Sequence, residues 1–140
     1  MSALPIRKPN TLTLGPLESE ILEILWVMTR ATVREIHEQI LSDPDRELAY
    51  SSVTTVLNRL AKKGWVKCDR QEQAFVWRPT LTKLEAQALI AHDQLQDFLA
   101  LGHPDVIAAF ADSLDETTVE QLDAIAQQIR AARNRGLEES

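Results

Sequence analysis

The chain has 140 residues, of which 44% are hydrophobic and 26% are charged, and its formal net charge at pH 7 is −6. This length suffices for one ordinary domain or two small ones. The single cysteine, Cys68, excludes an intramolecular disulfide scaffold and a cysteine-based zinc ribbon, which favours a cytoplasmic location. No phosphate-binding loop or hydrolase motif is present, and neither export nor membrane insertion is expected from the pattern of apolar residues. We therefore expect no membrane partner, no cofactor, no small-molecule substrate and no catalytic activity.

Charge is divided unevenly along the chain. Residues 1–80 contain 11 basic and 10 acidic side chains, net +1, whereas residues 81–140 contain 4 basic and 11 acidic side chains, net −7. Residues 51–80 alone contain 6 basic and 2 acidic side chains, net +4. A local excess of positive charge favours contact with phosphates, even in a chain that is acidic as a whole.

Two short helices are predicted in the first part of the chain. Apolar residues at helical spacing after Pro16 predict the first helix, with Glu18 among the acidic residues on its solvent face. Thr32 and Glu35 form a capping box that starts the second helix, which is predicted to run to about Leu41. A loop is expected over residues 42–47, which contain a proline and two aspartates.

The third predicted helix starts at a cap formed by Ser51 or Ser52 and ends at Gly64, which readily adopts a left-handed backbone. Its buried face has apolar residues at helical spacing: Val53, Val56, Leu57 and Leu60. At about 100° per residue, the opposite face and its flanks are polar and basic: Ser51, Thr54, Thr55, Asn58, Arg59 and Lys62. Such side chains bind phosphates and base edges in the major groove, although a merely solvated helix face has the same composition.

Beyond Gly64 the pattern becomes β-prone. Residues 65–66 and 74–77, separated by the polar stretch 69–73, predict a two-stranded hairpin that ends at Pro79. Three helices followed by such a hairpin, or wing, is the order of a winged helix-turn-helix, whose third helix enters the major groove.

Cations are expected where this wing would follow the DNA backbone. Lys67 and Arg70 precede the predicted tip and Arg78 follows it. The first-turn amides of the second helix, after Thr32, can also hold a phosphate, with Arg34 nearby. A purely structural role for this cap is an equal alternative.

Helical periodicity returns at residue 81 and predicts amphipathic helices whose apolar faces lack an intramolecular cover. A second copy of the chain is the expected cover. The predicted dimerisation residues are Leu89, Leu95, Phe98, Leu99, Val106, Ile107, Phe110, Leu122, Ile125 and Ile129. The expected fold is mainly α with a small β-hairpin: a flexible arm (1–10), a winged helix-turn-helix DNA-binding domain (11–80), a helical dimerisation domain (81–135) and a frayed tail (136–140).

Four stretches together resemble one known family. They are LESEILEILW at 17–26, ATVREIHEQI at 31–40, YSSVTTVLNRLAKKG at 50–64 and FVWRP at 75–79. Across roughly residues 11–80 the chain resembles the penicillinase-repressor-type (BlaI/MecI/CopY) winged-helix regulators. The resemblance implies a homodimeric repressor that binds a pseudo-palindromic operator in double-stranded DNA. The positions that it places at the DNA are Ser51, Ser52, Thr54, Thr55 and Arg59, whereas Trp26, Trp65 and Phe75 are expected to pack the core.

Two departures from that family bear on how repression would be relieved. Its β-lactam-responsive members resemble this chain around Ala109-Phe110, but they have an Asn-Phe bond at the cleavage site. Its copper-responsive members have C-x-C motifs near the C-terminus, where this chain has no cysteine. Neither cleavage nor copper sensing is therefore expected here.

Two other functions stay open at this point. The third helix of a winged-helix domain can bind a protein rather than DNA. Alternatively, Lys67 and Arg70 could lower the pKa of Cys68 and make it a redox sensor that controls DNA binding. The histidines His37, His92 and His103 are too scattered to predict a metal site.

Overall fold

The computed structural model describes residues 4–5 and 8–139, except for the side chain of Glu139. Two compact units divide the chain, and the boundary between them falls after His92. In chain order the elements are α1 (Pro16–Met28), α2 (Val33–Ile40), α3 (Tyr50–Lys63), β1 (Val66–Gln71), β2 (Ala74–Pro79), α4 (Lys83–Leu101), α5 (Pro104–Ala111) and α6 (Glu116–Glu139). The predicted fold class, mainly helical with one small hairpin, is confirmed.

The capping box at the start of α2 is confirmed. The Glu35 amide donates to Thr32 Oγ1 at 3.2 Å, and the Thr32 amide donates to Glu35 Oε1 at 2.9 Å. Two otherwise unpaired amides are thereby satisfied, which fixes where the helix begins.

The predicted cap of α3 is wrong. Ala49 is the N-cap residue and makes no side-chain hydrogen bond, so Ser51 and Ser52 lie inside the first turn. The loop before the helix sets its start instead, since His37 Nε2 lies 2.7 Å from the Leu48 carbonyl oxygen. The predicted end is confirmed, because Gly64 has a φ of 90° in the left-handed region that glycine tolerates best.

The end of the predicted flexible arm (1–10) is anchored to the first unit through Asn10. We call residues 8–13 the N-terminal segment; residues 1–3 and 6–7 lie outside the described residues. The Asn10 amide donates to the Lys63 carbonyl at 2.9 Å, and its Nδ2 donates to the Lys62 carbonyl at 3.1 Å. Trp65 Nε1 donates to the Thr11 carbonyl at 2.9 Å. The segment thus satisfies carbonyls that the last turn of α3 leaves unpaired.

The hairpin is longer than predicted. β1 and β2 pair antiparallel from Val66↔Pro79 to Gln71↔Ala74, so most of the polar stretch 69–73 is strand. Only two residues form the turn, and Glu72 has a φ of 55°. The hairpin is held to the body of the first unit by two backbone hydrogen bonds of 2.8 and 2.9 Å between Trp77 and Ala31.

The core of the first unit extends beyond residue 80, where the predicted domain boundary lies. Leu81, Ala86 and Leu89 are buried with the residues of α1, α2 and α3. Leu89, at 2% exposure, is therefore a core residue of the first unit, and its assignment to the dimerisation surface is wrong. Helical spacing places Leu89 on an apolar helix face, but it does not show whether that face packs on the core of the first unit or on a second copy of the chain.

The expected core aromatics divide into two groups. Trp65 is 1% exposed, and the half-buried Trp26 donates from Nε1 to the Leu81 carbonyl at 2.9 Å. Phe75 is 61% exposed, so its predicted core role is wrong. It lies near the tip of the hairpin, beyond the part that packs on the helices.

The second unit consists of the end of α4 together with α5 and α6. The predicted frayed tail is wrong over residues 136–139, where α6 continues to Glu139; Ser140 lies outside the described residues. From Asp93 onward, no residue whose burial is described is buried. Within the described part of the chain, no helix is long and apolar enough to cross a membrane.

A buried ion pair joins the start of α1 to the end of α3. Glu18, predicted on the solvent face, is only 4% exposed and accepts from the Gly15 amide at 2.7 Å and from Lys63 Nζ at 2.9 Å. Lys63 Nζ also donates to the Thr13 carbonyl at 3.0 Å. Burial raises the pKa of Glu18, but the Gly15 amide and Lys63 outweigh it and hold the pKa below its ordinary value of 4.5.

We expect Glu18→Gln to lower the free energy of unfolding at pH 7 by about 1–3 kcal/mol, because the half-buried Lys63 ammonium loses its charged partner. A lowered folded-state pKa stabilises the fold above the unfolded value and ceases to do so as the pH falls through the folded pKa. The difference between wild type and variant should therefore shrink as the pH falls below 4.5.

Urea unfolding at several pH values measures this effect. Glu23→Gln is the matched control, since Glu23 pairs with Lys83 at 2.9 Å with both side chains about half exposed. Its effect should stay below about 1 kcal/mol. A difference for Glu18→Gln that is the same at pH 7 and pH 3 would contradict the assigned role of the charge.

Candidate nucleic-acid interface

The exposed face of α3 contains the residues that the helical spacing predicts. Val53, Leu57 and Leu60 are fully buried. Of the predicted contact residues, Ser52 and Thr54 are half-buried and the rest are exposed: Ser51, Thr55, Asn58, Arg59 and Lys62. The structure thus gathers short hydroxyl side chains, one amide and two cations along one side of a helix that is anchored on its other side.

Thr55 has a specific hydrogen-bonding capacity on this face. Its Oγ1 donates to the Ser51 carbonyl one turn earlier, at 2.9 Å. The hydroxyl proton is therefore engaged within the helix, and the oxygen faces outward as an acceptor.

Two adjacent lysines at the end of α3 differ in their surroundings. Lys63 Nζ donates to the Glu18 carboxylate and to the Thr13 carbonyl, so Lys63 is a structural residue. Lys62 is exposed and forms no ion pair with any described residue, which leaves its ammonium free for an external anion.

The three predicted wing cations do not share one face. Lys67 and Arg78 are directly opposite each other in the antiparallel register, so their side chains lie on the same face of the hairpin. Arg70 lies on the other face, with its guanidinium carbon 5.8 Å from the centre of the Phe75 ring. Arg78 is oriented by Asp69, whose Oδ2 accepts from Arg78 Nε at 2.6 Å.

The groups at the start of α2 are already partnered within the protein. Thr32 is engaged in the capping box, and Arg34 Nε lies 3.0 Å from Glu38 Oε1. The side chains of this ion pair are 80% and 64% exposed, so it contributes little stability and is easily exchanged for a phosphate.

Sequence reasoning missed two exposed residues near these groups. Tyr50, the first residue of α3, is 51% exposed. Its ring is nearly perpendicular to that of His37, and the two ring centroids are 5.6 Å apart. Lys8 lines a cleft together with Lys67 and Arg78. Tyr50 could have been found from its place at the head of the helix, but Lys8 is brought there by hydrogen bonds that no local pattern reveals.

Cys68 is exposed, but its surroundings disfavour the thiolate that a reactive cysteine needs. Desolvation, followed by the Asp69 carboxylate, raises the pKa of the thiol above its ordinary value of 9.0. The expected lowering of this pKa by Lys67 and Arg70 is wrong, because desolvation of the thiol and, after it, the Asp69 carboxylate favour the neutral thiol. Among the described residues, no group of three or more histidine, cysteine, aspartate or glutamate side chains could hold a metal ion.

A buried helix-turn-helix core, a third helix with an exposed polar face and a wing with cations at its base define a winged-helix DNA-binding protein. Residues 14–131 match the penicillinase repressor family. The chain belongs to this family and is a DNA-binding transcriptional repressor.

Individual relatives are similar over different lengths. A 16.5 kDa protein from the ptsI 3′ region of Latilactobacillus sakei is 26% identical over 89% of this chain and 82% of its own. The transcriptional regulator BlaI of Mycobacterium tuberculosis is 40% identical over 59% of each chain. The solved DNA-binding domain of the repressor BlaI has a TM-score of 0.44 and 21% identity, and the match covers 61% of this chain and 93% of that one.

The raised pKa predicts that Cys68 reacts slowly in the folded protein. We expect its rate of alkylation by iodoacetamide to be lower at pH 7 than in the urea-unfolded chain, because less thiolate is present. The rate should rise with an inflection above pH 9.0. An inflection below the value of the unfolded chain would restore the redox hypothesis.

Proposed function

We propose that the protein acts as a homodimer that binds a pseudo-palindromic operator and represses transcription by occluding the promoter. The observation that carries this proposal is the two-sided character of α3, whose apolar side is buried and whose polar side is exposed. A helix fixed in this way can enter a major groove without rearrangement.

In this proposal α3 supplies the sequence preference. Asn58 is suited to a bidentate contact with adenine and Arg59 to one with guanine. Thr55, whose proton is engaged with the Ser51 carbonyl, accepts from the amino group of adenine or cytosine. Ser51, Ser52 and Thr54 contact neighbouring base edges or phosphates.

Phosphate contacts set the orientation and most of the salt dependence. Lys62 lies in the last turn of the exposed face of α3, and the pair Lys67 and Arg78 on one face of the wing lines a cleft with Ala61 of the same helix. Arg70, on the other face of the wing, and Thr32 with Arg34 at the start of α2 bind separate phosphates.

The apolar surface of the second unit supports dimerisation. Its large hydrophobic side chains are between 42% and 59% exposed at Leu95, Phe98, Leu99, Val106, Ile107, Leu122, Ile125 and Ile129. Phe110 is half-buried and meets Phe98 edge to face at 6.2 Å. So much apolar area without one fully buried residue is better covered by a second copy of the chain than by water.

Two substitutions distinguish base contact from phosphate contact. Arg59→Ala should weaken binding to the specific duplex by about 1–3 kcal/mol and leave binding to a scrambled duplex nearly unchanged. Lys67→Ala should weaken both duplexes alike and lower the slope of log K against log salt by about 1. Fluorescence anisotropy at several salt concentrations measures both, and unchanged affinity in both variants would refute the assigned face.

A charge placed on the apolar surface of α6 tests the dimer. Ile125→Asp should raise the dimer dissociation constant by about 100-fold or more, because a carboxylate would be buried without a partner. Sedimentation equilibrium measures this. Gln127→Asp adds the same charge on the opposite side of the helix and should leave the dimer intact; equal behaviour of the two variants would show that this surface is not the interface.

A further inference from the structure

A cleft of about 440 Å³ lies at the base of the wing, next to the end of α3. Three of its lining side chains are cations, and each comes from a different part of the fold: Lys8 from the N-terminal segment, Lys67 from β1 and Arg78 from β2. No lining residue is acidic. Such a concentration of positive charge favours an anionic ligand.

Lys8 is held at this cleft by the anchoring of the residues that follow it. Asn10 is bound twice to the end of α3, and Thr11 accepts from the buried Trp65. Pro9 is itself buried and packs over Gly64, where a Cβ atom would lie only 3.2 Å from Pro9 Cα. The missing side chain at Gly64 therefore allows the segment to pass close to the helix end.

The cations of the cleft are available to a ligand. Lys8 and Lys67 are exposed and form no ion pair with any described residue. Arg78 Nε donates to Asp69 Oδ2, whereas the two terminal nitrogens of Arg78 have no hydrogen-bond partner among the described residues. A bound phosphate would add hydrogen bonds without breaking an internal one.

The position of the cleft indicates which anion it meets. Ala61 lines it, and the next residue, Lys62, belongs to the exposed face of α3. A duplex lying on α3 would extend its backbone past this point. We infer that the cleft binds backbone phosphates beside the bases that α3 reads, and that Lys8 is a DNA-contacting residue; this inference rests on the proposed function.

The test uses the full chain with Lys8→Gln and, as matched control, Lys83→Gln, which removes the same charge in the same unit. For Lys8→Gln the slope of log K against log salt should fall by about 0.9 per bound protomer, which corresponds to a loss of about eightfold near 0.1 M salt. The loss should be equal on specific and scrambled duplexes, and the control should retain the wild-type slope.

A second measurement separates a phosphate contact from a structural role. In a series of duplexes, one phosphate at a time is replaced by a neutral methylphosphonate. At one position flanking the half-site, the replacement should weaken wild-type binding more than binding by Lys8→Gln, in which only Lys67 and Arg78 still face that phosphate.

An unchanged slope, or equal losses for wild type and Lys8→Gln at every replaced phosphate, would overturn the inference while leaving the proposed function in place. Failure of the wild type to bind any duplex would overturn both.

Discussion

The arrangement of the first unit depends on how α3 ends. At that point the Lys63 ammonium bridges the Glu18 carboxylate at the start of α1 and the Thr13 carbonyl of the incoming chain. Gly64 turns the backbone through the left-handed region, which places Trp65 in the core and β1 beside the helix. The ion pair therefore fixes α1 and the N-terminal segment relative to α3, and the glycine fixes β1 relative to α3.

This junction explains why α3 can present a rigid polar face. Its apolar side is buried, its last carbonyls are bound by Asn10, and its side chains at Thr55 and Lys63 are already directed by internal hydrogen bonds. A recognition surface that is ordered before binding loses little conformational entropy when DNA is bound. Strand alternation places Lys67 and Arg78 on one face of the wing and Arg70 on the other.

Local patterns predicted the features that local physics determines. The capping box at Thr32, the glycine at the end of α3 and the exposed face of that helix follow from spacing and residue type alone. Prediction was wrong where contacts between residues far apart in the sequence determine the structure. Ala49 rather than a serine caps α3, and Leu89 covers the core of the first unit rather than a partner.

The wing and the N-terminal segment show the same limit. Alternation along β1 alone separates Arg70 from Lys67, whereas the face on which Arg78 lies follows only from the register that the two-residue turn fixes. The sequence alone predicts a flexible arm at Lys8, because the groups that anchor the neighbouring Asn10 and Thr11, at Lys62, Lys63 and Trp65, are more than 50 residues away along the chain.

We propose that a dimer reads DNA through two copies of α3. This can be tested by selecting bound duplexes from a random library with the purified full chain and measuring the affinity of the selected sequence at two salt concentrations. A dimer should enrich an inverted repeat with half-sites about one helical turn apart, and its affinity should fall steeply at the higher salt. Enrichment of no sequence by folded protein would contradict it.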